Sequence, residues 1–228
     1  MDFKDLQVDA LQLIELYQSG ERDFSGLELE NLNLQGVNLS GCNFTKAKLR
    51  DITFSGANLK ATSFKNCLGA NLDFSAAQMK GANLQQFNGQ NISFQEADLR
   101  DVQLQEAYLL RTPFTNAVLL RTNLKNAYLW GSQFIDANLG DAILDNANLQ
   151  NANFSGANLD EAKLRYAYLC GANLQNTYWI GANLSHANLM QANLSNADFR
   201  EANLTGTILQ SSILLNTKLM QSCLLLAS

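Results

Sequence analysis

The chain has 228 residues, of which 46% are hydrophobic and 16% charged, and its formal net charge is −5. Globular proteins average roughly 25% charged residues and about 5% proline, whereas this chain holds a single proline, Pro113. Low charge at ordinary hydrophobicity excludes a disordered tail protein, a histone-like basic binder and a coiled coil.

The beginning of the chain and its cysteines predict a soluble cytoplasmic protein. Residues 1–5 show no basic region followed by an apolar one, so no signal peptide is expected. No segment reaches the roughly 18 consecutive apolar residues that a membrane-spanning helix needs. The four cysteines show neither CxxC pairs nor histidine partners at zinc spacing, so we expect free thiols and no metal or other cofactor.

The first predicted element is an amphipathic helix within residues 1–22. Residues 5–19 carry apolar side chains at helical spacing, and Gly20 follows as a stop signal. These apolar positions are Leu6, Ala10, Leu13, Ile14 and Tyr17.

From residue 23 to residue 228 a five-residue repeat dominates the sequence. Every fifth residue from Phe24 to Leu224 gives 41 positions, which we call centres; 39 of them are apolar, with Gly69 and Gly89 as the exceptions. Two residues before the centre, alanine occupies 21 places, and one residue before it Asn or Asp occupies 20. The centres form one core only if the chain bends once per repeat, because a spacing of five fits neither an α-helix nor a straight strand. The repeat therefore predicts an all-β solenoid of short bent segments.

The unit Ala-(Asp/Asn)-Leu-x-x, seen twice in residues 152–159, resembles the pentapeptide repeat family. This resemblance implies a right-handed quadrilateral β-helix with four repeats per coil, here about ten coils, and an N-terminal helix that caps it. The chain also looks like cyanobacterial members of this family. Residues 20 apart then stack, so a run of phenylalanines at this spacing should form one internal ladder. The run comprises Phe54, Phe74, Phe94, Phe114, Phe134 and Phe154.

Two departures from the repeat lie on the predicted walls. The glycine centres Gly69 and Gly89 coincide with bulky residues at normally small positions, including Phe87, which predicts a bulge, a pocket or simple repacking.

Further along the chain, apolar and aromatic residues occupy outward positions in two neighbouring columns, a column being a set of residues spaced 20 apart. We call these residues the aromatic wall and regard them as a candidate partner surface. Stabilising stacking between coils is the alternative reading. The aromatic wall comprises Tyr108, Leu110, Tyr128, Trp130, Tyr168, Cys170 and Met190.

The C-terminal coil, residues 207–228, is atypical because apolar residues replace the outward asparagines. An exposed apolar surface of this kind is unusual in monomers. Three interpretations remain open: the last residues fold over the open end, two rods form a homodimer as some members of the family do, or a further domain follows. The candidate dimer surface comprises Ile213, Leu215, Met220, Leu225 and Leu226.

The sequence favours a non-catalytic protein-interaction module that binds an unknown protein, with no nucleic acid, membrane or small-molecule substrate. A filled core leaves no catalytic pocket, and His186 is the single histidine, expected alone at the surface.

The family resemblance offers DNA mimicry at gyrase as an alternative. Residues 24–228 hold 15 acidic and 14 basic residues, a net charge of −1. A duplex mimic about 48 Å long needs about 28 negative charges, so this alternative is disfavoured. Residues 126–162, with five acids and no base, form the one acidic segment expected to be a small local patch.

Overall fold

Each coil of the chain contains 20 residues, as the backbone pairing shows: bridges join residues that are 20 positions apart on neighbouring coils. In the computed structural model, which describes residues 8–222, parallel bridges extend from the pair Asp23–Asn43 to the pair Asp198–Lys218. Bridges recur at five-residue steps, so each coil contributes a short segment to four walls. The all-β solenoid predicted from the repeat is confirmed, and its four walls agree with the quadrilateral β-helix that the family resemblance implies.

Regular strands occur on one wall and around the corner next to it. They form a parallel sheet in the order β1-β2-β3-β4, in which Gly69 pairs with Leu49 and with Gly89. The strands are β1 (Glu28–Glu30), β2 (Lys48–Thr53), β3 (Leu68–Asp73) and β4 (Asn88–Ser93).

The corners explain the polar composition of the repeat. Every fifth residue from 26 to 221 has a positive φ, the left-handed conformation that glycine and asparagine adopt most readily. The asparagine before many centres closes the corner, since its side-chain oxygen accepts the amide hydrogen two residues later. Asn183 Oδ1, for example, lies 3.1 Å from the amide nitrogen of Ser185. Such turns give asparagine a structural reason to recur.

The predicted phenylalanine ladder is present along one wall. From Phe54 to Phe154 the successive ring centroids lie 4.6–5.2 Å apart and the ring planes differ by at most 9°. A second, shorter stack of Phe24, Phe44 and Phe64 lies on the opposite side of the core. Phe64 meets the main ladder edge to face, at 5.9 Å from Phe54. The two stacks together fill the first coils with aromatic rings.

The glycine centres are repacked rather than left as a cavity. An added Cβ at Gly69 would lie 2.5 Å from Cζ of Phe87, and one at Gly89 would lie 2.7 Å from Cε1 of the same ring. Leu72 and Ile92 occupy the remaining space beside the two glycines. Phe87 is fully buried, so its ring replaces the volume that two leucine centres would have supplied.

The N-terminal helix, α1, spans Ala10–Gln18, a shorter stretch than the pattern over 5–19 indicates. Asp9 fixes its start, because its side chain accepts the amide hydrogen of Gln12 at 2.9 Å while Gln12 caps Asp9 in return. Leu13 is fully buried, and Leu16, which the apolar pattern omits, packs against the core while Ile14 is half-buried. Leu6 lies outside the described residues.

Candidate functional site

The aromatic wall follows two neighbouring columns on the wall that begins with β1–β4. Backbone bridges join Asn88 to Tyr108, Tyr108 to Tyr128, Tyr128 to Asn148 and Asn148 to Tyr168. The three tyrosines therefore occupy one file, as their 20-residue spacing predicts, with Asn148 interrupting it. The centres between the columns point inward and are buried, so the two columns bear the outward side chains.

Exposure divides the aromatic wall into two groups. The tyrosine side of the wall projects into solvent, with Tyr108, Tyr128 and Tyr168 exposed by 45%, 50% and 51%. Leu110 is exposed at 36%, whereas Trp130 is half-buried. Cys170 and Met190 are also half-buried. All seven predicted residues thus lie on one wall, and the three tyrosines have the largest exposed fractions among them.

Two ring contacts order this surface. The rings of Tyr108 and Tyr128 lie 5.6 Å apart between centroids at an angle of 43°. The guanidinium carbon of Arg111 lies 4.8 Å from the centroid of the Trp130 ring, a cation–π distance. Tyr108, Tyr128 and Trp130 thus each have a neighbouring side chain against the ring.

A groove lies between Tyr128 and Tyr168. It has a volume of about 690 Å³, and Asn148 and Gln150 lie between the two tyrosines in its lining. Asn148 Oδ1 accepts the amide hydrogen of Gln150 at 3.2 Å, which holds the short asparagine side chain close to the backbone. The absence of a ring at Asn148 opens the tyrosine file there, and the groove continues along the neighbouring corner, where Gln86, Glu106, Asn126 and Asn146 line it.

Sequence reasoning missed an aromatic pair at the adjacent corner. Tyr166 and His186 stack at 5.0 Å with ring planes 9° apart, so the prediction that His186 is alone at the surface was wrong. The pair lies 20 residues apart at two turn positions, and the same spacing rule that found the tyrosine file could have found it. Gly206 accommodates the imidazole, because an added Cβ there would lie 2.5 Å from His186 Nδ1.

Several charged side chains on the walls form ion pairs, either across neighbouring coils or with a residue two positions away. Arg165 donates two hydrogen bonds to the side chain of Asp145, the shorter at 2.6 Å. Hydrogen bonds from Arg121 lower the pKa of Asp101, and hydrogen bonds from Arg200 lower the pKa of Asp198. The expected acidic patch over 126–162 is therefore partly neutralised, because Arg165, just beyond that segment, reaches back to Asp145.

The C-terminal coil exposes several outward side chains and one centre, whereas the centres Leu209 and Leu219 pack against the core. Leu214, a centre, is 43% exposed, and Leu215, the outward residue next to it, is 64% exposed. Ile213 and Met220 are exposed by 52% and 72%. Leu225 and Leu226 lie outside the described residues. The apolar surface expected at this end is thus present at each of the predicted positions that the structure describes.

Groups that support metal or thiol chemistry are not assembled in residues 8–222. No three His, Cys, Asp or Glu side chains of this region are placed to hold a metal ion. Burial raises the pKa of the Cys42 thiol and of the Cys67 thiol to about 12, which keeps both protonated. Within the same region, no helix has the length and apolar character to cross a membrane.

Comparison with known families finds repeat proteins along most of the chain. A family described as "Pentapeptide repeat region" matches residues 37–114. A second, "Pentapeptide repeats (8 copies)", matches residues 132–169, 162–200 and 187–224. No curated protein matches the chain in sequence.

Solved structures share the fold over almost the full length. HetL, a pentapeptide repeat protein involved in heterocyst differentiation regulation from the cyanobacterium Nostoc sp. strain PCC 7120, superposes with a TM-score of 0.92 and 26% identity. That match covers 94% of this chain and 96% of HetL. Trypsin-treated QnrB1, a plasmid-mediated fluoroquinolone resistance protein, gives a TM-score of 0.61 at 20% identity and covers 82% of this chain and 84% of its own.

Proposed function

The chain belongs to the pentapeptide repeat family, and from this membership we propose that it is a non-catalytic module that binds a partner protein through the aromatic wall. The observation that carries the proposal is the exposure of three tyrosines in one file, beside Trp130, in places that the repeat usually gives to polar residues. Tyrosine and tryptophan are the residues that most often dominate binding energy at protein interfaces. The similarity to HetL, a protein involved in a regulatory process, supports a regulatory interaction of this kind.

The state of the titratable groups supports binding rather than catalysis. The core is filled with leucine, phenylalanine and alanine, and Asp98, Asp101, Asp145 and Asp198 are paired with arginines. The His186 ring lies against Tyr166. A catalytic site needs a cooperating acid, base or nucleophile in a pocket. These four aspartates and His186 instead contact other side chains on walls that are open to solvent.

The proposal predicts that removal of two rings abolishes partner binding without unfolding the rod. Tyr128→Ala combined with Trp130→Ala should eliminate proteins that co-purify with the tagged wild-type chain from cells of its source. Thermal melting should stay close to that of the wild type, because Tyr128 is exposed and Trp130 half-buried. Tyr178→Ala is the matched control, since Tyr178 is 52% exposed on another wall. A set of co-purified proteins that survives in the double variant would reject the aromatic wall as the interface.

We also propose that the C-terminal coil forms a homodimer interface. The exposed apolar residues of this end support the proposal, because contiguous apolar surface is commonly covered by another protein surface.

DNA mimicry remains the alternative function, and its test is direct. The rod carries a net charge of −1 over residues 24–228, and its carboxylates are interleaved with arginine and lysine partners. Because duplex DNA presents one negative charge per about 1.7 Å, we expect no inhibition of gyrase supercoiling by micromolar protein. Inhibition at this concentration would favour mimicry over the interaction module.

A further inference from the structure

Asn88 and Gly89 form the single Asn-Gly sequence of the chain, because every other asparagine precedes a residue that has a side chain. Asparagine is a thermolabile residue, and it is most prone to spontaneous deamidation, the loss of its side-chain amide as ammonia, when glycine follows. The nitrogen of the next residue must approach Cγ of the asparagine, and glycine has no Cβ to obstruct this approach or to restrict the backbone. Asn88 thus carries the most labile side-chain amide of the sequence.

The packing of the core requires glycine at position 89. An added Cβ there would lie 2.6 Å from Cγ1 of Ile92, 2.7 Å from Cε1 of Phe87 and 2.9 Å from Cδ2 of Leu109, so alanine would displace these three side chains. Successive residues of a strand face opposite sides, and Asn88 is accordingly exposed to solvent. The labile pair is therefore a consequence of the fold, and its reactive amide lies at the surface.

Strand β4 holds the pair in a geometry that prevents the reaction. The Asn88 side chain stands away from the wall, whereas the backbone hydrogen bonds run within the wall toward the neighbouring coils. The amide nitrogen of Gly89 donates to the carbonyl oxygen of Tyr108 at 2.9 Å. To reach Cγ of Asn88, this nitrogen must rotate out of the wall and lose that hydrogen bond. The paired strand therefore protects Asn88.

We propose that Asn88 is a site of spontaneous deamidation and that local opening of β4 sets its rate. When the strand opens, the Gly89 nitrogen attacks Cγ of Asn88 and loses its proton to the solvent, while the side-chain nitrogen leaves as ammonia. The resulting succinimide reacts with one water molecule, which opens the ring at either of its two carbonyl carbons. The products are an aspartate or an isoaspartate at position 88.

The products change the wall in two ways. An isoaspartate carries its Cβ in the main chain, so the added atom breaks the register in which Asn88 pairs with Leu68 and with Tyr108. Either product also adds a carboxylate to a wall whose two outward columns hold no charged residue between residues 68 and 210. We therefore expect deamidation to weaken partner binding by the aromatic wall. This consequence rests on the proposed function, whereas the site itself does not, and its rates are measured without any partner.

Ageing of the purified protein at mildly alkaline pH tests the site. The tryptic fragment 81–100 contains Asn83, Asn88 and Asn91, so peptide mass spectrometry compares three asparagines within one fragment. Asn88 should be converted before the other two. Its conversion should be about tenfold or more slower in the folded protein than in guanidinium chloride, because the Gly89 hydrogen bond and its neighbours must open first. Equal rates in the folded and denatured protein, or earlier conversion of Asn83 or Asn91, would overturn the proposal.

A pair of core variants decides whether the opening is local. Phe87→Ala removes the ring beneath Gly89 and should raise the folded-state rate at Asn88 by about tenfold or more, relative to the rate of the same variant in guanidinium chloride. Phe199→Ala empties an equally buried site far along the rod and should leave this ratio unchanged, since each coil of a solenoid contacts only its neighbours. Phe87→Leu is a smaller change that should act in the same direction if Phe87→Ala does not fold. Equal acceleration by the Phe87 and Phe199 variants would assign the reaction to global unfolding and contradict local opening of β4.

Discussion

Replacing Phe87 with alanine is expected to destabilise the solenoid by about 3–5 kcal/mol, the range measured for buried phenylalanines. Its ring is fully buried and occupies the space beneath Gly69 and Gly89, so its removal leaves an empty core at two successive coils. Gly69→Leu alone should also destabilise, because even its Cβ would lie 2.5 Å from Phe87 Cζ, and overpacking typically costs about 1–3 kcal/mol. Urea unfolding followed by circular dichroism measures both changes.

The decisive quantity is the coupling between the two substitutions. The variant with Phe87→Ala and Gly69→Leu exchanges similar volumes and restores a leucine centre, so it should be more stable than the sum of the single effects predicts, by about 0.5–3 kcal/mol. Phe199→Ala is the control, because Phe199 is equally buried but lies more than six coils away from Gly69. Its effect should add to that of Gly69→Leu, since distant sites are independent. Additive effects for Phe87 and Gly69 would contradict the repacking.

Leu214→Glu combined with Leu215→Glu is expected to halve the mass of the protein in solution. Leu214 is a centre left open at the end of the rod, and Leu215 is the outward residue next to it. Two carboxylates at this position would have to be desolvated in an end-to-end contact, which costs far more than the apolar contact contributes. Light scattering at a fixed protein concentration measures the mass.

Leu68→Glu provides the matched control for the dimer. Leu68 is 51% exposed but lies on β3, far from the C-terminal coil, so this variant should keep the mass of the wild type. A wild-type chain that is monomeric at high concentration would remove the dimer proposal. The alternative in which the chain covers its own end would then account for the apolar surface.

Much of the architecture was predictable from the repeat together with the family resemblance. The apolar centres and the small residue two places earlier predict a solenoid, the family resemblance implies 20 residues per coil, and the run from Phe54 to Phe154 at that spacing agrees with it. The start of α1 is less predictable, since it depends on the reciprocal hydrogen bonds between Asp9 and Gln12. The compensation at Gly69 was recognisable as a change of volume, but which of several side chains fills the space is decided by three-dimensional packing.

The candidate site, too, was predictable from the sequence only in part. The file from Tyr108 to Tyr168 follows from a shared 20-residue spacing, which places these residues on one wall. The groove beside Tyr128 and Tyr168 was not predicted, because its shape depends on how far the side chains of the wall and of the corner project from the backbone. The pairing of Asp145 with Arg165 was missed because charges were counted within a segment of the chain, whereas the partner comes from the following coil.

The repeat of 20 residues per circuit, established by the parallel register, constrains how the length of such a protein can change. Deleting one whole coil would shorten the rod and leave every remaining residue facing its original direction. Deleting a single five-residue unit would instead turn everything downstream by a quarter circle. If the deleted unit lay between Tyr128 and Tyr168, Tyr168 would then point away from Tyr128, although neither tyrosine was changed. A binding face that spans several coils therefore tolerates an insertion between its residues only when that insertion is a whole number of coils long.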